Sequence, residues 1–301
     1  MVQTYKFSNA ATDFYFNSSL KELGKIIDRK HTFFITDQHI FKAHEKKFKG
    51  LNTIVIPAGE EHKKQSTVDD IILKLIQSKA DRKSVLVGVG GGVITDLTGY
   101  VASVYMRGIR FGFVPTTVLG LVDASIGGKN GIDVGVYKNM VGVIRQPSFI
   151  LHDLALLQSL PQKEWQNGFA EVIKHACIKD AAMFKELEQH QLSDYQKNKT
   201  LLADLVRRNA LIKIKVVQKD EFEKGDRRLL NFGHTIGHAI ETQYALMHGE
   251  AVSIGMVYAC DIAQQLKGFA GKERVRSLIA QYQLPTHINF DAAKVFEVLT
   301  M

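Results

Sequence analysis

Arg227, Asn231, His234, His238 and Glu241 follow one another at spacings of 4, 3, 4 and 3 residues. On an α-helix that rhythm lines five polar groups along one stripe. Leu229, Leu230, Phe232, Ile236 and Ile240 between them are apolar. Such a helix can be buried while its stripe faces a cleft, where imidazole and guanidinium groups require partners. A metal ion is one such partner, since imidazole and carboxylate ligands suit zinc and a catalytic zinc keeps one position open for substrate. Further donors are His248, in a loop-like MHGE, and Glu171, in GFAEVIKHA. Spacing alone favours His234 and His238 as the metal pair. For any single histidine, a hydrogen-bonded place in the core or on the surface is the simpler explanation.

Gly90-Gly91-Gly92 follows the apolar run SVLVGV and leads into VITDLTGYVASVYM, which has helical spacing. Glycines there let a bulky ligand approach the backbone, and the N–H groups opening the helix suit a pyrophosphate. The spacing departs from GxGxxG, and a tight structural turn explains it equally. Asp37, closing an earlier apolar run, could accept bonds from a ribose or could cap a helix. Asp123 to Asn139 reads as a glycine-rich loop between two domains, in which Lys129 and Lys138 are isolated cations rather than part of a solvated charge run. Cations so placed hold phosphate or carboxylate. Arg107, Lys174 and Lys213 could extend that lining.

The elements that would position these groups follow from periodicity. Residues 31–37 (HTFFITD), 52–57 (NTIVIP) and 84–89 (SVLVGV) are short runs rich in β-branched residues, with helical spacing from Val68 to Lys79. This βαβαβ pattern predicts a parallel sheet covered by helices, with ligands at the carboxyl ends of the strands. Beyond residue 153 the β-branched runs vanish, and helical stretches are punctuated by Pro161, Gly168, Gly225, Gly249 and Pro285. The expected organisation is an α/β nucleotide-binding domain over 1–153 and an all-helical metal- and substrate-binding domain over 154–301. The closing stretch FDAAKVFEVLTM reads as a helix cut short.

A chain of 301 residues suits two domains. Neither a membrane-length apolar run nor a signal peptide is legible. Cys177 and Cys260 fall in helical stretches and read as core packing rather than a disulfide framework, which with the rest predicts a cytoplasmic protein. The net charge of +8 is dispersed, with no basic stripe interleaved with aromatics. That argues against nucleic acid and for a small anionic substrate.

Six segments carry a closer resemblance. GGGVITDLTGYVASVYMRG, VPTTVLGLVDASIGGKNGID, KNMVG, GFAEVIKHA, DRRLLNFGHTIGHAIE and HGEAVSIGM resemble, in order and over nearly the whole chain, the signature blocks of the 3-dehydroquinate synthase family of sugar-phosphate cyclases. The resemblance implies an N-terminal NAD-binding α/β domain followed by a helical metal-binding domain. It implies zinc, with cobalt as an alternative, on Glu171, His234 and His248, and so releases His238 to the substrate phosphate. NAD would contact Asp37, Glu60, Lys63, Gly91, Gly92, Asp96, Thr116, Thr117 and Ser159, with Lys138 near the nicotinamide. Asp123, Lys129, Asn139, Lys174, Lys213, Arg227 and Asn231 match substrate positions. Arg107 matches one that reaches the neighbouring subunit's site in a homodimer.

The implied reaction converts 3-deoxy-D-arabino-heptulosonate 7-phosphate to 3-dehydroquinate and phosphate in the shikimate pathway. It runs by transient NAD oxidation, phosphate elimination, re-reduction and intramolecular aldol closure. The chain departs from the family pattern at Thr95, where glycine is common, and at Ser159, where threonine is usual. Family members also continue with an Asp-Lys-Lys run that helps bind phosphate, so an incomplete C-terminus is expected. A polyol dehydrogenase of the glycerol dehydrogenase type would share the two-domain plan, but needs fewer cations than Lys129, Lys138, Lys213 and Arg227 supply. Another sugar-phosphate cyclase is the nearer alternative, against which Arg227 and His238 favour a substrate bearing carboxylate as well as phosphate. A basic nucleic-acid-binding protein is the non-enzyme alternative.

Overall fold

The computed structural model describes residues 2–135 and 137–300. Among these, the strands are β1 (Val2–Lys6), β2 (Ala11–Tyr15), β3 (Thr32–Asp37), β4 (Asn52–Ile56), β5 (Val85–Gly90), β6 (Arg110–Pro115), β7 (Lys129–Val134), β8 (Tyr137–Ile144) and β9 (Phe149–Leu151). Seven of them form one sheet in the order β1-β2-β9-β6-β5-β3-β4. Only β1 runs antiparallel to its neighbour there. β5 (VLVGVG) is buried along its whole length, as a central strand of a parallel sheet covered on both faces must be. The helices beside the sheet are α1 (Gln38–Ala43), α2 (Glu45–Phe48), α3 (Gln65–Gln77) and α4 (Gly92–Val104).

The order of the strands decides where a ligand can bind. β4 lies on one side of β3 and β5 on the other, so the winding reverses between β3 and β5, which opens a crevice at their carboxyl ends. Asp37 closes β3, Gly90 closes β5 and Pro115 closes β6, with Thr36 opposite Val89 and Gly90 opposite Pro115 in the register. The adjoining residues Gly91, Gly92, Thr116 and Thr117 therefore gather at one edge of the sheet.

Two units emerge, Met1–Leu160 and Pro161–Met301, dividing later than the expected break after residue 153. The 3₁₀ helix Leu154–Ser159 stays with the first unit: Asp153 caps it through Ala155 N and also accepts from Leu20 N. The supposed loop between domains is corrected as well. Its described residues lie inside the first unit, in a π-turn, Gly120–Ala124, and an antiparallel pair of β7 and β8.

Described residues of the second unit form helices only: α5 (Gln162–Lys179), α6 (Ala181–Gln189), α7 (Leu192–Lys197), α8 (Lys199–Lys219), α9 (His234–Tyr244), α10 (His248–Lys267), α11 (Lys272–Gln281) and α12 (Ala292–Thr300), with a 3₁₀ turn at Asp226–Asn231. α5 is buried on all sides from Asn167 to Ala176, the mark of a central helix. Its Phe169 stacks on Tyr282 and packs against Tyr195, with centroids 5.1 and 5.3 Å apart. No helix among the described residues is long and apolar enough to cross a membrane.

Candidate active site

The second unit holds a compact set of donors. Glu171, on buried α5, His234, opening α9, and His248, opening α10, place their ligand atoms within 4.8 Å of one another. His248 Nε2 and His234 Nε2 lie 3.3 and 3.5 Å from the same oxygen, Glu171 Oε1. Lys174, one turn along α5 and 1% exposed, pairs with the other oxygen. Two imidazoles and one carboxylate whose ligand atoms converge in this way are the donor set of a catalytic divalent metal, so the residues fit that group. His238 is exposed, its ring 5.1 Å from His234 in an edge contact. Within this unit a second trio, His238, Glu241 and His248, also converges, but neither trio contains both His234 and His238.

Local structure explains why. The five-residue stripe expected on one helix is broken: Asp226–Asn231 is a 3₁₀ turn, and the chain then passes Gly233 at φ +83° before α9 begins. A side chain at Gly233 would meet Met256 Cγ at 2.6 Å and Val252 O at 2.7 Å. Only glycine permits that turn and that closeness to α10. His248 is likewise not in a loop but is the first residue of α10. Asn167 of α5 accepts from Gly249 N at 2.5 Å, satisfying an otherwise orphaned donor of that helix start and holding His248 against Glu171. Asn167 escaped sequence reasoning because its partner lies 82 positions away.

Histidines of this cluster differ in charge. Desolvation pushes His234 down to about 4 against the pull of Glu171, with Lys174, His248 and His238 adding to the depression. Desolvation acts the same way on His248, but hydrogen bonds to Glu171 and Glu241 and their charges outweigh it and hold His248 at about 9. Other expected substrate residues of this unit are Lys213, buried on α8; Arg227, buried, with its guanidinium on Glu221 O; and exposed Asn231, bonded to Glu223 at 2.9 Å. Cys177 and Cys260 are both free. Burial pushes their thiols to about 12 and about 11, which leaves them inert.

In the first unit, Lys63 is the hub. It is 4% exposed, lies 2.6 Å from Asp96 and 3.7 Å from Glu60, and donates to Asn139 Oδ1 at 2.5 Å. Burial opposes its charge, yet Asp96 and Glu60 raise its pKa; burial raises that of Glu60 against the pull of Lys63. Asn139 sits at φ +58°, its N–H fixed at 2.7 Å by Asp133 Oδ1. The hairpin thus brings Asn139 to Lys63, and Lys138 contributes to the same field. Lys129 opens β7, and Asp123 lies in the π-turn.

The glycine loop fits a cofactor. Gly91 is the N-cap of α4 with no side-chain cap, and a Cβ on it would come within 3.1 Å of Thr117 Cγ2. Thr116 Oγ1 is buried with no hydrogen-bond partner among the described residues. An open helix start, a tight approach between Gly91 and Thr117 and an orphaned hydroxyl suit a pyrophosphate. Asp37 caps α1, accepting from His39 N and Ile40 N on Oδ1 alone. Ser159 is engaged by His44 Nε2 at 2.8 Å. Arg107 is exposed and, with Met106, occupies the left-handed region at φ +64° and +49°, strain of the kind that collects at functional sites.

Family models match along this chain: one described as 3-dehydroquinate synthase N-terminal covers residues 53–167 and one described as 3-dehydroquinate synthase C-terminal covers residues 168–301. The chain belongs to the 3-dehydroquinate synthase family. A 3-dehydroquinate synthase of Thermodesulfovibrio yellowstonii is 42% identical over 256 residues, 82% of this chain and 71% of that protein. One from Acetivibrio thermocellus is 38% identical over 299 residues, 94% of this chain and 83% of that protein. Among solved structures, a 2-epi-5-epi-valiolone synthase from Streptomyces hygroscopicus subsp. jinggangensis 5008, with NAD⁺ and Zn²⁺ bound, superposes with TM-score 0.89 at 26% identity, covering 99% of this chain and 88% of that one. A 2-deoxy-scyllo-inosose synthase complexed with carbaglucose-6-phosphate, NAD⁺ and Co²⁺ gives 0.86 at 26% identity, covering 100% and 86%. Over nearly its whole length the chain therefore shares its fold, sheet first and helices second, with these two cyclases.

Proposed function

We propose that this chain converts 3-deoxy-D-arabino-heptulosonate 7-phosphate to 3-dehydroquinate and phosphate, as a phosphate lyase dependent on NAD and zinc. The observation that carries the reading is the convergence of Glu171, His234 and His248 beside Lys174, in a chain of this family. When bound, the metal supplies polarisation of a substrate hydroxyl and NAD supplies a hydride acceptor that returns what it takes. Two imidazoles and a carboxylate favour zinc, with cobalt able to use the same donors.

Each unit's residues are assigned a share. In the first, Gly91 and Gly92 present backbone N–H groups to the cofactor phosphates, Thr116 offers its hydroxyl, and the Asp37 oxygen left over from capping accepts from the ribose. Lys63 holds Asp96, Glu60 and Asn139 in register, with Lys138 beside them and Asp123 and Lys129 facing substrate. In the second, Lys213, Arg227, Asn231 and His238 hold the anionic groups of the substrate and stabilise the charge that develops as phosphate departs. The departing phosphate itself accepts the proton lost from the neighbouring carbon, which spares the chain a dedicated base. Lys174 balances the charge of Glu171. A cytoplasmic homodimer, with Arg107 contributing to a neighbour's site, completes the proposal.

Phosphate release from 3-deoxy-D-arabino-heptulosonate 7-phosphate tests it, on protein first stripped of tightly held cofactors. Turnover is expected only with NAD⁺ and metal both restored, and without net NADH. Absent turnover, turnover indifferent to both additions, or NADH accumulating on a simple polyol would overturn the proposal.

A further inference from the structure

His248 has two ring nitrogens, and the structure gives them different neighbours. Nε2 faces Glu171 Oε1 at 3.3 Å, inside the trio with His234. Nδ1 faces Glu241 Oε2 at 3.4 Å. Glu241 sits on α9 at the position seven after His234, so both project from one face of that helix. It is 9% exposed and follows buried Ala239 and Ile240. A carboxylate in that setting is fixed by its helix and needs a donor.

We infer that Glu241 is a positioning residue for the metal centre, accepting the Nδ1–H of His248 so that the Nε2 lone pair is presented beside Glu171 and His234. The chemistry is that of a carboxylate paired with a metal-bound imidazole: it selects the tautomer, sets the ring plane and makes the coordinating nitrogen more basic. The alternative is that Glu241 coordinates a second ion with His238 and His248, since ligand atoms of those three residues also lie within 4.8 Å of one another. One imidazole is then asked to bridge two cations. As an anion it can do so, as a neutral ring it cannot, and Glu241 acting as acceptor avoids that demand.

This inference rests on the metal site proposed above, and the test separates the two. Zn²⁺ alone is titrated into metal-free full-length protein against a chromogenic chelator, and Co²⁺ alone is followed by its visible absorption. Wild type is expected to bind one ion per chain. Glu241→Ala is expected to weaken Zn²⁺ binding by about 10- to 100-fold and to shift the Co²⁺ bands. Glu241→Gln, whose carbonyl still accepts from Nδ1–H, is expected to retain affinity within about threefold. If wild type binds no metal, the metal site falls and the inference with it. If wild type binds one ion and Glu241→Ala binds it equally well, only the inference is overturned. Two ions per chain, with one lost in Glu241→Gln, would make Glu241 a ligand instead. Should Glu241→Ala fail to fold, Glu241→Leu, which keeps the bulk but cannot accept from Nδ1–H, takes its place: weakened Zn²⁺ binding there with affinity retained in Glu241→Gln supports the inference, and equal affinity in Glu241→Leu and wild type overturns it.

Discussion

Three histidines of this chain share one side-chain chemistry and are driven to different charges by what surrounds them. His248 meets two carboxylates that outweigh its burial and is held at about 9, whereas burial, with Lys174, His248 and His238 beside it, outweighs the one carboxylate near His234 and takes it down to about 4. His152 is the extreme case. It is 1% exposed, packs edge-on against Phe16 at 5.1 Å, and neither ring nitrogen has a hydrogen-bond partner among the described residues. Burial alone pushes it to about 3. Its folded pKa lies below the unfolded value of roughly 6.5, so its contribution to stability is intact above that value. It is lost as pH falls toward the folded pKa, by about 1.4 kcal/mol for each pH unit. Urea unfolding of His152→Phe, which keeps a flat apolar ring between the aromatics, is therefore expected to lose less stability than wild type between pH 7 and pH 4.5. Equal losses in the two proteins would show that the imidazole is solvated or paired in solution.

At the level of elements, the metal trio depends on how closely α9 and α10 approach. A Cβ on Gly255 would fall well inside contact with the Gly233 carbonyl oxygen and 2.9 Å from Gly237 N. Because backbone atoms cannot yield as a flexible side chain does, Gly255→Ala must separate the two helices. The expected result is a loss of more than about tenfold in Zn²⁺ affinity with a lowered Tm, measured by chelator competition and by thermal melting; unchanged affinity would mean the trio tolerates that separation. The same closeness explains what the sequence could and could not show. β3, β4 and β5 were legible because β-branched runs announce buried parallel strands, and Gly90 to Gly92 because a helix follows them directly. β7 and β8 were hidden by glycines and isolated lysines that mask the two-residue alternation. Spacing makes the stripe from Arg227 to Glu241 continuous because it takes no account of a positive φ, whereas Gly233 interrupts it. Periodicity also paired His234 with His238, since it compares residues along one helix and is blind to Glu171, which arrives from α5. Glu171 is legible in the sequence as a further donor, and the resemblance puts it in the ligand set in place of His238.

For the molecule as a whole, the residues assigned to the two cofactors divide cleanly along the chain. Glu171, His234 and His248 fall within Pro161–Met301, while Asp37, Lys63, Gly91, Gly92 and Thr116 fall within Met1–Leu160. A ligand stabilises the native state against those openings that destroy its site, by about 2.7 kcal/mol when present at roughly a hundred times its Kd. Openings in a folded protein are regional, so protection is expected chiefly where the site is built. Zn²⁺ alone should slow amide exchange in the middle turns of α5 and the first turns of α9 and α10, by up to about a hundredfold where exchange requires loss of the site. NAD⁺ alone should slow it from Gly91 to Asp96 and around Asn139, where Lys63 links the hairpin's Asn139, at 2.5 Å, to Asp96, at 2.6 Å. Peptide-resolved hydrogen exchange with each ligand separately checks both halves. If Zn²⁺ protected the start of α4 as strongly as it protects α5, or if NAD⁺ protected α9 and left the glycine loop unchanged, the division of roles between the units would be wrong, whatever the activity of the fully loaded enzyme.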